Sequence, residues 1–217
     1  MYKNLIFDFD GTIADSKQCS VVATQKTFRD KGMTEPTVKD IEYYMGIPIE
    51  RSFRLMSPTS LDDLQLEEII YTFRKNYKDV EASYLQLYKG MSKQLSMLAE
   101  DKRLFVVSSK KTDVLIRNLE ILKIDHLFTE VIGSDKVDNY KPAPDGINYI
   151  LNKYRLNNKE TIYIGDAIFD MQMANSANVS SCAVTWGTHS DDELKSENPT
   201  FIVNNITCLL YTSPSPR

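Results

Sequence analysis

Cysteine is scarce in this chain of 217 residues: Cys19, Cys182 and Cys208 are odd in number and far apart. That spacing fits neither a disulfide framework nor a cysteine metal site, so the three read as reduced thiols of a cytoplasmic protein. Histidine is scarcer still, with His126 and His189 alone, too few for a histidine-based metal site, and both read as surface residues. No run approaches the roughly 18 apolar residues of a membrane span. The first apolar run, Leu5-Ile6-Phe7, meets acidic residues at once, unlike a signal peptide. Positive charge is not in excess either. The net charge is −4 and the pI about 5.3, with Lys and Arg scattered, so no overall field favours nucleic acid. Internal repeats and low-complexity tracts are absent. The expectation is a cytoplasmic protein with neither a membrane nor a nucleic-acid partner.

What is present has a clear order. A short apolar run over residues 4–9 is broken by Asp10-Gly11, which predicts a buried strand ending in a turn. Residues 16–84 then read as helical throughout, punctuated by Lys31-Gly32, Gly46-Ile47-Pro48 and Ser57-Pro58. After Gly90 the texture changes. Apolar runs at 104–107, 130–132, 161–164, 181–184 and 201–203 alternate with helical patterns at 91–100, 112–122, 145–154 and 168–177. Such alternation predicts a parallel sheet covered on both faces. The fold class expected is therefore α/β, a doubly wound parallel sheet built from residues 1–15 and 85–210, with a helical domain over 16–84 inserted after the first strand. Residues 211–217 show no packing pattern, resemble translated cloning sequence more than a natural terminus, and are expected to be disordered.

Ligands of open α/β sheets bind beyond the carboxyl ends of the strands. The polar residues predicted there are Asp8, Asp10 and Thr12 after the first strand, Ser108 and Ser109 after the second, Lys141 further on, and Asp166 and Asp170 after the 161–164 strand. Each alone has a bland explanation. Asp-Gly marks turns, serines cap helices, and Lys-Pro is an ordinary loop. Together, in order and at strand ends, they gather carboxylates, hydroxyls and one lysine with no serine–histidine or cysteine–histidine pair in competition.

The stretch Asp8-Phe9-Asp10-Gly11-Thr12-Ile13-Ala14-Asp15-Ser16 resembles the first motif of haloacid-dehalogenase-superfamily phosphatases. Ser108, Lys141 in Lys-Pro-Ala-Pro-Asp145, and Gly165-Asp166 to Asp170 resemble the second, third and fourth. The insert resembles the small helical cap of the subgroup that contains phosphoglycolate phosphatases, as do Lys141-Pro142-Ala143-Pro144 and Ala183-Val184-Thr185-Trp186-Gly187. The resemblance covers residues 1–210. It implies a Rossmannoid core and a phosphatase in which Asp8 forms an aspartyl-phosphate. Asp8 and Asp10 are two apart, so an extended backbone directs both side chains to one side, and Asp10 is expected to act as general acid and base. The carboxylates call for Mg2+, with Asp8, the main-chain carbonyl of Asp10 and Asp166 as implied ligands and Asp170 supporting them. Lys141, Ser108, Ser109 and Thr12 are the implied phosphate-binding groups. In the cap, Gly46 lies in the implied specificity loop, and Arg51 and Arg54 either meet a substrate anion or lie solvated on their helix.

Departures narrow the chemistry. Dehalogenases proper lack the counterpart of Asp10. The histidine and cap arginine usual in β-phosphoglucomutases are missing, and no lysine lies between Lys39 and Lys75 to serve a phosphonate hydrolase. The expectation is a small phosphorylated metabolite, phosphoglycolate-like, as substrate. A pyrophosphatase or nucleotidase of the same subgroup is the alternative, and a receiver-type signalling module is the rival from another class. The receiver reading is disfavoured because the aspartate follows the first strand and a helical segment is inserted.

Overall fold

The computed structural model describes residues 2–45 and 47–210. The chain divides into two compact units, residues 1–15 with 87–217, and residues 16–86.

In the first unit, strand β1 (Asn4–Phe7) is buried along its whole length, as a central strand covered on both faces must be. The short strands β2 (Ala14–Asp15) and β3 (Gln86–Leu87) mark where the chain leaves and re-enters the unit. Then come β4 (Arg103–Val107), β5 (Glu130–Ile132), β6 (Thr161–Gly165), β7 (Ser180–Val184) and β8 (Phe201–Val203). They form a parallel six-stranded sheet in the order β5-β4-β1-β6-β7-β8. From β1 the chain builds outward to one side through β4 and β5, then jumps to β6 on the other. The order therefore reverses between β1 and β6, which is where a doubly wound sheet opens a ligand crevice. Register explains the core. Ile6 stands opposite both Phe105 and Tyr163. The two-residue period of a strand puts these three on one face, where they pack with Ile147, Ile150 and Met173. Ile6, Phe105, Tyr163, Ile147 and Ile150 are fully buried, and each such side chain contributes about 2–3 kcal/mol by leaving water.

The helices of the second unit are α1 (Lys17–Asp30), α2 (Val38–Tyr43), α3 (Ile49–Met56) and α4 (Asp63–Tyr84). Its core gathers Phe28, Phe53, Leu61, Leu66, Ile69 and Ile70. Helix α4 starts where Asp62 accepts from Gln65 N–H while the Gln65 side chain accepts from Asp62 N–H, a reciprocal cap of about 1 kcal/mol. Buried Asn76 donates to Thr27 and to Asp30, fixing α4 against α1.

The first unit's helices are α5 (Met91–Ala99), α6 (Thr112–Ile121), α7 (Asp145–Tyr154), α8 (Ile168–Ser176) and α9 (Asp191–Ser196). The sequence reading did not anticipate α9. No helix among the described residues is long and apolar enough to cross a membrane. The tail expected to be disordered, and Gly46 of the implied specificity loop, lie outside the described residues.

Candidate active site

The site is built where β1 and β6 end. Asp8 continues the register of β1 by one residue, its N–H donating to Ile164 O at 2.8 Å, and it is 5% exposed. The chain then turns sharply, with Gly11 N–H donating to Ala14 O. Gly11 has φ +76°, and a Cβ there would clash with the Asp166 carboxylate. Only glycine meets both demands without strain.

Asp166, at the end of β6, is held on several sides. Thr12 Oγ1 donates to its Oδ1 at 2.9 Å and Thr188 N–H to its Oδ2 at 2.7 Å. Gly187 packs so close that a Cβ would also strike the Asp166 side chain. Trp186 Nε1–H donates to Thr12 O at 3.1 Å, bracing the turn that carries Thr12. Asp170, on the first turn of α8, accepts from Ala167 N–H at 3.0 Å and receives the Tyr163 hydroxyl at 3.4 Å. That hydroxyl's single proton is shared with Val107 O, the nearer acceptor at 2.9 Å.

Lys141 joins these carboxylates. Its ammonium lies 2.7 Å from Asp8 Oδ1 and 2.6 Å from Asp170 Oδ1. Oxygen atoms of Asp8, Asp166 and Asp170 all lie within 4.8 Å of one another. The electrostatics follow from this crowding. Burial, reinforced by Asp170 and Asp166 and only partly offset by Lys141, pushes the Asp8 carboxyl well above its ordinary range. Burial and Asp170 raise Asp166 to about 6 against the hydrogen bonds from Thr188 and Thr12. Burial alone would depress the Lys141 ammonium, but Asp170 and Asp8 outweigh it and hold the lysine charged.

Three buried carboxylates and one ammonium leave a formal charge of −2 at this cluster. A hard divalent cation with oxygen ligands fits that donor set.

The structure brings Asp8, Lys141, Asp166 and Asp170 together as one cluster, and Asp10 follows two residues after Asp8. The Thr12 hydroxyl, expected to bind phosphate, is instead committed to Asp166. Ser108 is buried at the end of β4, its N–H on Ile132 O and its Oγ accepting from Lys110 N–H. Ser109, next to it, is half-buried. In the helical unit Arg54 is tied to Leu61 O and Asp63 at 2.5 Å each, while Arg51 is exposed.

Sequence reasoning missed four contributors: Lys110, Trp186, Thr188 and Tyr163. Lys110 Nζ lies 2.6 Å from Asp10 Oδ1. Their contacts with Asp10, Thr12, Asp166 and Asp170 join segments far apart in the chain, apart from Tyr163–Asp170, and no local pattern announces them. His189 also departs from expectation. It is half-buried, its ring packs edge-on against Phe169, and its main-chain N–H donates to Asp166 O, whereas His126 is exposed as expected.

Fold and donor set together define an enzyme of the doubly wound parallel class with an acid-rich centre at its switch point. The sequence profile of the haloacid dehalogenase-like hydrolases matches residues 5–184, and the chain belongs to that family. It is 29% identical to the pyrophosphatase PpaX of Listeria monocytogenes serotype 4b, over 95% of this chain and 94% of that protein. A haloacid dehalogenase-like hydrolase from Streptococcus pneumoniae shares its structure with a TM-score of 0.88 at 28% identity, covering 97% of this chain and 98% of that one. A predicted phosphoglycolate phosphatase from Haemophilus somnus 129PT superposes with a TM-score of 0.88 at 22% identity, over 97% of each chain, and so shares the fold.

Proposed function

We propose that the chain is a Mg2+-dependent phosphomonoester hydrolase of small phosphorylated metabolites, working through a phospho-aspartate on Asp8. The observation that carries this reading is the Lys141 ammonium clamped between Asp8 and Asp170 beside Asp166.

Asp8 and Asp166, with the main-chain carbonyl of Asp10, would hold the cation, which when bound offsets the repulsion between these carboxylates and a dianionic phosphate. In the first step an Asp8 oxygen bonds to phosphorus as the ester P–O bond breaks. The departing oxygen takes its proton from Asp10. In the second, water attacks the phospho-aspartate, gives its proton to Asp10, and the P–O bond to Asp8 breaks, releasing phosphate. Lys141 and Ser108 hold phosphoryl oxygens while charge spreads over them. Asp170 keeps Lys141 aimed, and the Thr12–Asp166–Thr188 contacts keep Asp166 fixed. Residues 16–86 supply substrate selection, with Arg51 the more available of the two candidate cations because Arg54 is engaged by Asp63.

Phosphoglycolate and similar alkyl phosphates are the proposed substrates. Inorganic pyrophosphate is the second reading, favoured by the pyrophosphatase name of a relative that spans nearly the whole chain. Phosphate release from phosphoglycolate, pyrophosphate and an aryl phosphate, with Mg2+ and with excess chelator, tests both. Turnover that survives chelation, or that persists in Asp8→Asn, contradicts the reading. A kcat/KM for pyrophosphate above that for every monoester selects the second.

A further inference from the structure

One cation at the site has no part in the steps above. The Lys110 ammonium lies 2.6 Å from Asp10 Oδ1, 3.3 Å from Asn118 Oδ1, and 5.0 Å from the centre of the Phe9 ring. Phe9 and Asn118 are fully buried, while the Lys110 and Asp10 side chains are 17% and 18% exposed. The lysine's backbone is fixed as well, its N–H donating to Ser108 Oγ and its carbonyl accepting from Ser134 N–H. A lysine ordinarily keeps its ammonium in water on a freely rotating stem. Here an aromatic face, a buried amide oxygen and two backbone contacts confine it to one place. That place is against Asp10, the residue assigned the proton transfers.

We infer that Lys110 is a positioning residue for Asp10, an inference that rests on the acid–base role proposed for that aspartate. The ion pair holds the Asp10 carboxyl group in a constant place, two residues from Asp8. Proton transfer in the transition state is sensitive to placement, and an error of about 1 Å costs on the order of 100-fold. The two lysines thus divide the work. Lys141 serves the nucleophile and the phosphoryl group, and Lys110 serves the leaving group through Asp10.

The leaving group provides the test. An alkyl phosphate needs a proton delivered to its departing oxygen, whereas an aryl phosphate scarcely does. Wild type, Lys110→Met, Lys110→Arg, Asp10→Asn and the double variant Lys110→Met/Asp10→Asn are assayed with phosphoglycolate and with p-nitrophenyl phosphate. The phenolate burst isolates the phosphorylation step for the second substrate. Lys110→Met is expected to lower kcat on phosphoglycolate by roughly 10–100-fold with little change in KM, and to leave the burst rate within about threefold. Lys110→Arg should recover most of the loss. In the Asp10→Asn background Lys110→Met should add less than about threefold, since nothing remains to be positioned.

A phenolate burst rate that falls as far as kcat on phosphoglycolate, or the same loss in the Asp10→Asn background, overturns the inference and places Lys110 on the phosphoryl group or in the fold. If Lys110→Met does not fold, Lys110→Gln gives the second measurement, with the same asymmetry expected and its absence equally damaging. An Asp10→Asn variant without leaving-group asymmetry defeats the acid–base reading itself. Asymmetry in Asp10→Asn but in neither Lys110 variant defeats the Lys110 role alone.

Discussion

Lys141 places its ammonium 2.7 Å from Oδ1 of Asp8, and both side chains are about 6–7% exposed. A buried pair of this kind is held by mutual need, since removing one partner strands the other's charge in a poorly solvating place. Lys141→Met would leave Asp8, Asp166 and Asp170 without their cation. Metal-free Lys141→Met is expected to be less stable by about 3–5 kcal/mol and to lose at least 100-fold in kcat. Thermal unfolding in chelator would show it, and an unchanged melting temperature would mean that the pair contributes nothing.

Asp8→Asn acts in the opposite direction on stability. Burial and two neighbouring carboxylates already disfavour the Asp8 charge, and Lys141 keeps Asp170 at 2.6 Å when Asp8 is neutral, so a neutral isostere removes repulsion without stranding the lysine. We expect a folded variant that melts no lower than wild type in chelator and has no measurable turnover. Retention of a tenth of wild-type kcat would rule out the covalent step.

Cation binding should depend on pH through Asp166. Its carboxyl, raised to about 6, binds a proton in the folded metal-free state at pH values where the unfolded chain has released it. Stability from this group is therefore greatest below the ordinary carboxylate value and is lost as pH rises through about 6. A cation must displace that proton. Mg2+ affinity is expected to weaken by at least about tenfold for each unit of pH below 6. Calorimetry between pH 5 and 8 measures this, and an affinity flat from pH 5 to 7 would contradict it.

Gly187 gives a test of geometry without a change of charge. A Cβ at that position meets the Asp166 side chain, so Gly187→Ala should shift the carboxylate and weaken Mg2+ binding by roughly tenfold or more, with the fold retained. Magnesium titrations of activity would reveal the change, and an unaltered midpoint would show that Asp166 moves without cost.

The thiols offer a check on packing. Cys19 and Cys182 are buried, and burial pushes the Cys182 thiol up to about 12. Only Cys208, half-buried, should react quickly with a thiol reagent at pH 8 in the native protein, against three after denaturation. Two fast thiols in the native state would be incompatible with this core.

Much of this arrangement was legible in the sequence. Continuous apolar runs marked β4, β6 and β7 because strands buried on both faces have no polar side to alternate. The carboxylates and lysine could be named because strand ends are identifiable and the sheet's polarity gathers them at one edge. Long-range partners were not legible. Lys110 is 100 residues from Asp10, and Trp186 is 174 from Thr12. Such pairs exist only once β1, β4, β6 and β7 lie side by side. Helix α9 had a readable signal that went unused. Ser190 and Glu193 form a reciprocal cap at its start, but its mostly charged residues carry no apolar stripe.

The central place of β1 has a consequence for how the protein comes into being. Asn4 stands opposite Arg103 and Thr161, so the strand that leads to Asp8 leaves the ribosome long before either neighbour exists. The helical unit, contiguous over residues 16–86, is complete while that strand still waits. Closing such large loops is entropically unfavourable and slow. Asp8 is therefore translated before the strands on either side of it, and a nascent chain stalled before residue 161 lacks the β6 strand that completes its surroundings.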